Sequence, residues 1–300
     1  VVFADVDPDT LTLDPEDVRR KVTDRTKAIV AVHYFGHPTD MDPIMGIAEE
    51  RGIKVIEDVS HAHGGRYKGR LVGTIGHVAA MSVMSQKALA TGEGGFVITD
   101  DQDLYERAVV FGHYERTGWM ADLVEHPIEN PALKRYSGVP LGGFKYRMHQ
   151  LSSAVGRVQL KHYPERMAKI QEAMDYFWDL LEEVPGIRAH RTPRDSGSTM
   201  GGWYMPHGIL VAEELGGLSI ERFCEAVTAE GAPAAPISNE PLHLHPVFNE
   251  ADIYGHGVPT RIANSDRDVR QGEGSLPVSE SLSERVFSVP WFKHTNRKVI

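Results

Sequence analysis

The sequence predicts an α/β fold with a mostly parallel sheet flanked by helices, followed by a smaller α+β C-terminal domain. Three observations carry this. Short apolar runs alternate with helix-patterned stretches through the N-terminal part of the chain, the pattern of a layered α/β domain. Asp58 ends one apolar run and Lys87 follows the next, where parallel sheets place their ligand sites, beyond the carboxyl ends of the strands. From Pro164 onward the pattern changes to one long amphipathic stretch followed by short strands. This places a boundary between a major domain, residues 1–163, and a smaller one, residues 164–300.

In order along the chain, residues 1–6 read as a strand, and Asp7-Pro8-Asp9 turns the chain. Asp14-Pro15-Glu16 is a helix start, an acidic cap followed by proline at the first helical position. Residues 27–32 form a short buried strand that ends before Gly36-His37-Pro38. Asp42-Pro43 opens a second helix, whose apolar Ile44, Ile47 and Ala48 follow the helical period and which Gly52 closes. Residues 53–56, 77–83 and 96–99 are further strands, and Asp100-Asp101 caps a helix through Leu104, Ala108 and Phe111. Residues 117–143, rich in proline, glycine and polar side chains, predict a loop. A helix resumes near Met148 through Leu151, Val155 and Val158. A separate, longer one starts at Pro164, with Met167, Ile170, Met174, Phe177, Leu181 and Val184 on one face, and stops at Pro185-Gly186. Short strands and a helix near residues 219–230 complete the pattern.

The 300 residues are 41% apolar and 25% charged, ordinary for a chain that buries a sizeable core. The formal net charge of −10 argues against nucleic-acid and anionic-membrane partners. Cys224 is the only cysteine, which rules out a disulfide framework and a cysteine-rich zinc site; it reads as a small buried residue. No apolar run has the length of a membrane span and no signal peptide is present, so the expected location is the cytoplasm. The chain opens in mid-strand without an initiator methionine and ends as abruptly, which predicts a fragment of a longer protein.

An acid at one strand end and a lysine beyond the next is what pyridoxal 5'-phosphate chemistry needs. The Lys87 amine would hold the cofactor aldehyde as a Schiff base and relay a proton. The Asp58 carboxylate would pair with the pyridine nitrogen and keep it protonated, so that the ring acts as an electron sink. Taken singly each residue has a plainer reading: a strand-end acid that caps a turn, and a solvated lysine. The apolar and small neighbours Val83, Met84, Ala88 and Leu89 favour burial of Lys87. Ser82, otherwise an exposed hydroxyl, would be a phosphate ligand beside a cofactor. Gly92-Glu93-Gly94-Gly95 is a tight turn, not a dinucleotide fingerprint or a phosphate loop. His61 and His63 have metal-ligand spacing but no third ligand nearby, so no metal is expected and a ring-stacking or hydrogen-bonding role suits His61 better. His243 and His245 read as structural or substrate-facing.

These residues resemble the DegT/StrS sugar aminotransferase family, within the aspartate-aminotransferase-like (fold type I) enzymes. The resemblance runs in order through Val2-Phe3-Ala4-Asp5-Val6-Asp7, Thr26-Lys27-Ala28-Ile29-Val30-Ala31-Val32-His33, Val55-Ile56-Glu57-Asp58, His61-Ala62-His63-Gly64 and Tyr67-Lys68-Gly69. It continues through Lys87 with Gly92-Glu93-Gly94-Gly95, Gly143-Phe144-Lys145-Tyr146-Arg147-Met148, Leu242-His243 and Pro290-Trp291-Phe292. It covers nearly the whole chain. The resemblance implies that Asp58 holds the pyridine nitrogen, that His61 stands near the ring hydroxyl where many members have Gln, that Ser82 contacts the phosphate and that Lys87 is the Schiff-base lysine. Lys145 stands where many members have an Asn that reaches the partner subunit's phosphate, which implies a homodimer with a shared active site; a cationic side chain also suits a phosphate. Family members begin with a longer N-terminal part, carrying a Gly-Thr turn for the phosphate, and end with a short helix; neither is present here.

The implied activity is transfer of an amino group from L-glutamate or L-glutamine to a keto group of a sugar or cyclitol, often nucleotide-linked. Sugar dehydratases of the family replace the lysine by His, so Lys87 disfavours that branch. Members that aromatise an aminated ring remain open at this level. The alternatives from other classes are a metal-dependent hydrolase built on Asp58, His61 and His63, and a non-catalytic α/β protein that binds a partner. Joint retention of Asp58, Ser82 and Lys87 speaks against the last.

Overall fold

Three apolar runs pair in parallel because the segments between them are long enough to cross over the sheet and return. In the computed structural model, which describes residues 1–113, 127–136 and 138–300, they are β1 (Ala28–Val32), β2 (Lys54–Asp58) and β5 (Val78–Ser82). A small hairpin of β3 (Arg66–Tyr67) and β4 (Arg70–Leu71) intervenes. The fourth strand, β6 (Gly95–Ile98), runs antiparallel to β5, and the sheet order is β1-β2-β5-β6.

Helices α1 (Pro15–Lys21) and α2 (Met41–Arg51) belong to this layer, and α3 (Gln102–Gly112) follows β6. Asp14 caps α1 and Asp101 caps α3 by accepting from main-chain N–H groups of the first turn. Met41, Ile44, Ile47 and Ala48 on one face of α2 are buried with Ile29, Ala31 and Val55 of the strands. Gly52 then takes the left-handed conformation that ends α2.

Residues 1–6 do not form the expected strand: only Val6 bridges to Leu13. Apart from the Asp5 carbonyl, which accepts from Asp14 N–H at 3.0 Å, side chains take up much of their backbone. Gln271 bonds both the N–H and the carbonyl of Phe3, each at 2.8 Å, and Asp17 accepts from the Asp5 N–H at 2.6 Å. The Asp5 carboxylate in turn accepts from Val278 N, Ser279 N and Ser279 Oγ at 3.0, 2.8 and 2.7 Å.

After a short helix α4 (Pro131–Lys134), a single helix α5 runs from Gln150 to Leu180, where the sequence predicted two. Pro164 lies inside it. Proline deletes one helical hydrogen bond there, but does not end the helix. Tyr163 and Met167 pack beside Val83, Ala88 and Leu89, while Ile170, Met174 and Trp178 pack in another cluster with Met200 and Trp203, so buried contacts anchor both sides of the proline. The expected boundary between residues 163 and 164 therefore falls within one element. Of the predicted loop over residues 117–143, residues 117–126 and 137 lie outside the described residues, and α4 interrupts the remainder, capped by the Asn130 side chain.

The C-terminal part builds a second, antiparallel sheet in the order β7-β8-β10-β9, from β7 (Ile187–Ala189), β8 (His207–Leu210), β9 (Ala235–Pro236) and β10 (Val286–Ser288). Helix α6 (Ile220–Ala229), capped by Ser219, packs Ile220, Phe223 and Cys224 against Leu210 and Phe287. Cys224 is buried, in line with its sequence reading.

Candidate active site

The carboxyl ends of β1, β2 and β5 share one edge of the sheet, since Val32 pairs with Asp58 and Asp58 with Ala80. Successive residues of a strand face opposite ways, so Glu57 and Asp58 serve different sides. The Glu57 side, fully buried, accepts hydrogen bonds from Gly73, Ile75 and Gly76 N–H at 2.7, 2.8 and 2.5 Å and from His33 Nε2 at 3.0 Å. His33 Nδ1 accepts from Thr39 N–H at 3.0 Å, which puts the ring proton on Nε2, toward Glu57. Burial works against the Glu57 charge, but the donors from His33, Gly76 and Gly73 outweigh it and hold the carboxyl below its ordinary value. The main-chain N–H of His33 donates to the Asp58 carbonyl at 3.1 Å, so this network fixes the strand end that presents Asp58.

Asp58 is half-buried, and its Oδ1 accepts from Ser60 N–H at 2.9 Å in a tight turn. Ser60 Oγ then accepts from Ser82 N–H at 3.0 Å, which ties the end of β2 to that of β5. The Ser82 hydroxyl faces the turn that follows and accepts from Met84 N–H at 3.3 Å. Lys87 closes that turn through its own N–H to the Met84 carbonyl at 2.9 Å. Its side chain is half-buried, with Nζ 3.9 Å from the centre of the Tyr204 ring. Burial pushes the Lys87 amine below its ordinary value, and Asp58 pulls it the other way.

His61 stands in a row of rings. Its centroid lies 4.5 Å from Tyr204 and 5.6 Å from Tyr34, and it stacks on Phe35 at 6.2 Å. Burial, helped by Lys87, lowers His61 to about 4; burial likewise lowers His63 to about 4. Both rings are thus neutral near pH 7. His63 is 3% exposed, and neither ring nitrogen makes a hydrogen bond of acceptable geometry, although the Ser82 backbone is near enough to favour its charged form. Lys145 is exposed on the loop before α5. Three residues on, Met148 packs against the cluster of Val83, Ala88, Leu89 and Tyr163.

Asp58, His61, Ser82 and Lys87 therefore meet at one sheet edge. Sequence reasoning missed the wall opposite them. Tyr204, Tyr34, Phe35 and the Gly201–Gly202 pair come from segments that meet only in the folded chain. Gly201 N–H donates to Gly36 O at 2.8 Å, and a Cβ on Gly201 would lie 2.2 Å from the Ala62 carbonyl oxygen, so the approach needs glycine. The one sequence signal of this wall is glycine paired before Trp203-Tyr204. Among the described residues, no group of three or more His, Cys, Asp and Glu side chains suits a metal ion.

The donor set fits pyridoxal 5'-phosphate. It offers a half-buried primary amine, a carboxylate on the same edge, the Ser60 and Ser82 hydroxyls beside both, and a buried imidazole, His63, whose nitrogens have no hydrogen-bond partner. Amine, carboxylate and hydroxyls answer to the aldehyde, ring nitrogen and phosphate of that cofactor.

A parallel-sheet edge carrying an amine, a carboxylate and aromatic rings is the arrangement a pyridoxal-phosphate enzyme offers its cofactor. Residues 1–284 match the profile of the DegT/DnrJ/EryC1/StrS aminotransferase family, and the chain belongs to that family, whose members depend on pyridoxal phosphate. It is 35% identical to the L-glutamine:2-deoxy-scyllo-inosose aminotransferase of Streptomyces kanamyceticus, over 95% of this chain and 64% of that protein. It is 28% identical to the GDP-perosamine synthase of Escherichia coli O157:H7, over 94% of this chain and 72% of that one. The fold is shared with the E. coli GDP-4-keto-6-deoxy-D-mannose-3-dehydratase solved with bound hydrated PLP, at a TM-score of 0.73 and 23% identity, over 97% of this chain and 69% of that one. No helix among the described residues is long and apolar enough to cross a membrane.

Proposed function

We propose that this chain carries the catalytic centre of an aminotransferase that moves an amino group from L-glutamine or L-glutamate to a keto group of a sugar or cyclitol, of the free or nucleotide-linked kinds its relatives are named for. The observation that carries the reading is Lys87: a half-buried amine against the Tyr204 ring, on the sheet edge that also holds Asp58. The joint placement of the Lys87 amine and the Asp58 carboxylate on that edge favours this reading over a hydrolase or a partner-binding domain.

When bound, pyridoxal phosphate supplies an electron-poor ring that takes up the electron pair left when a proton leaves the carbon bearing the nitrogen. The chain's own residues do the rest. Lys87 would hold the cofactor by its amine, and its Nζ, when free, would take up and give back a proton. Its lowered basicity suits an amine that must give up its proton as readily as it takes one. Asp58 holds a proton on the ring nitrogen by its charge, and its own position is fixed through Ser60 and the Glu57–His33 network. Ser82 offers its hydroxyl to the phosphate. His61, neutral and set between the Tyr34 and Tyr204 rings, helps to exclude water from the amine.

Three further assignments belong to this reading. Lys145, as a cation on an exposed loop, serves the phosphate of a second subunit in a homodimer. The chain divides into a cofactor-binding unit, residues 1–163, and a smaller unit, residues 164–300, with α5 common to both. The enzyme works in the cytoplasm. The dehydratase reading has the shared fold behind it, but Lys87 provides the mobile proton carrier that amino transfer requires.

Borohydride trapping tests the reading. The full-length protein is loaded with pyridoxal phosphate, reduced and digested, and the modified peptide is identified by mass. A pyridoxyl group on Lys87, followed by amino transfer from glutamine or glutamate to a keto-cyclitol or keto-sugar, is the expected result. A folded protein without an adduct on Lys87 removes the proposal.

A further inference from the structure

Tyr204 belongs to no sequence motif singled out above, yet its ring lies directly against the Lys87 amine. Its ring is 9% exposed and its face lies 3.9 Å from Lys87 Nζ. We infer that Tyr204 is a positioning residue that holds the Lys87 amine against its ring face and sets how readily that amine gives up its proton.

The backbone around Tyr204 supports this. Trp203 has φ 47° and Met205 φ 48°, so both neighbours occupy the left-handed region that side-chain-bearing residues avoid. Strain of this kind persists only where the surroundings over-determine it, and it gathers at functional sites. Here the surroundings are visible. Trp203 is fully buried, with Nε1 donating to Gln171 Oε1 at 2.9 Å. Two residues before it, Gly201 N–H is fixed on the Gly36 carbonyl at 2.8 Å. On the other side, Pro206 O accepts from Val289 N–H at 3.0 Å. The direction of the Tyr204 side chain is thus set from both ends. Its ring also touches His61, which continues the row to Tyr34, whose hydroxyl accepts from Asn239 Nδ2 at 2.7 Å.

The charges facing Lys87 are few. Asp58 favours the ammonium form, while His61 and His63 are neutral near pH 7 and do not oppose it. Burial disfavours the ammonium, and the π face of Tyr204 favours it. Tyr204 therefore offsets part of the effect of burial, and it gives the amine a fixed resting place whenever the amine is free.

This inference rests on the reading of Lys87 as the reacting amine, and its test is separable from that reading. The cofactor-free full-length protein is acetylated with a limiting amount of acetic anhydride across a pH series, and labelling of the Lys87 peptide is followed by mass. Tyr204→Leu keeps an apolar cover but has no π face, and Tyr204→Phe keeps the face without the hydroxyl. The Lys87 labelling midpoint should be unchanged in Tyr204→Phe and should fall by about half a pH unit or more in Tyr204→Leu. A midpoint in Tyr204→Leu that stays or rises overturns the inference, as does an equal fall in both variants, which would assign the effect to the hydroxyl. Folding is checked by thermal melting; if the leucine variant does not fold, Tyr204→Met makes the same comparison. Absence of a pyridoxyl adduct on wild-type Lys87 would end the aminotransferase reading without altering what the labelling midpoints say about Tyr204.

Discussion

Mild acid should destabilise this chain well above the range in which its carboxylates titrate. His190 and His207 pack on Phe35, with ring centroids 6.3 and 3.8 Å from it, and are 1% and 2% exposed. Burial, helped by nearby His37, pushes His190 down to about 3, and burial pushes His207 down to about 4, from an ordinary 6.5. Both folded values lie below the unfolded one. As the pH falls, the unfolded chain binds protons first, so stability present above pH 6.5 is lost progressively down to about pH 4. Each histidine then withdraws roughly 2 kcal/mol between pH 7 and pH 5. Together they remove about 4 kcal/mol from a total that is of order 5–15 kcal/mol for a domain. For a chain of this size that is a fall in melting temperature of roughly 10 °C. Thermal melts of the full-length protein at pH 7, 6 and 5 measure it. His190→Gln keeps a donor for the Thr10 carbonyl, which His190 Nε2 meets at 2.8 Å, but cannot titrate, so between pH 7 and pH 5 it should lose roughly 2 kcal/mol less than wild type. A melting temperature that holds to within about 2 °C from pH 7 to pH 5 would refute the reasoning. So would an unchanged slope in His190→Gln.

Glu57→Gln should destabilise the fold by roughly 3 kcal/mol or more, because an amide presents N–H groups to main-chain donors that have no other acceptor in reach. Urea unfolding measures this, and a loss below about 1 kcal/mol would remove the Glu57–His33 network as the anchor of the Asp58 strand end. Gly201→Ala should cost about 3 kcal/mol and abolish trapping at Lys87, since its Cβ would meet the Ala62 backbone oxygen at 2.2 Å. Gly46→Ala, inside α2 with nothing within 4 Å of the new Cβ, should stabilise by roughly 0.5–1 kcal/mol. If both glycine variants melt alike, the close approach at Gly201 is not what shapes the wall.

The parallel layer was legible because its information is local. Apolar runs, acidic caps and Gly52 each act within a few residues, and the strand-end positions of Asp58, Ser82 and Lys87 follow from where those runs stop. The wall of Tyr34, Phe35 and Tyr204 was not legible, since an aromatic residue in a loop has no periodicity and its role depends on a segment far away in sequence. Glu57 shows the same limit. Beside Asp58 it reads as one more strand-end acid, and only the folded loop of Gly73 to Gly76 reveals it as a buried acceptor. Pro164 misled in the opposite direction, because proline has the same local signature at the start of a helix and inside one held from both sides. Residues 1–6 have strand composition but lack a partner strand, and composition carries no information about partners.

The clasp of Asp5 on Val278 and Ser279 joins residues 273 and 274 positions apart in the chain. On the ribosome, the Asp5 carboxylate therefore waits for 273 further residues before it finds its donors. The aromatic wall waits as well, since Asn239 meets Tyr34 across 205 residues. Such long closures make folding slow, and they leave apolar strands exposed during synthesis. Early elements such as α2 and its strands form from neighbours already made, whereas Lys87 gains the cover of Tyr204 late. Nascent protein thus has little means of sequestering an aldehyde cofactor before translation has passed Tyr204, and cofactor capture becomes a late event in biogenesis.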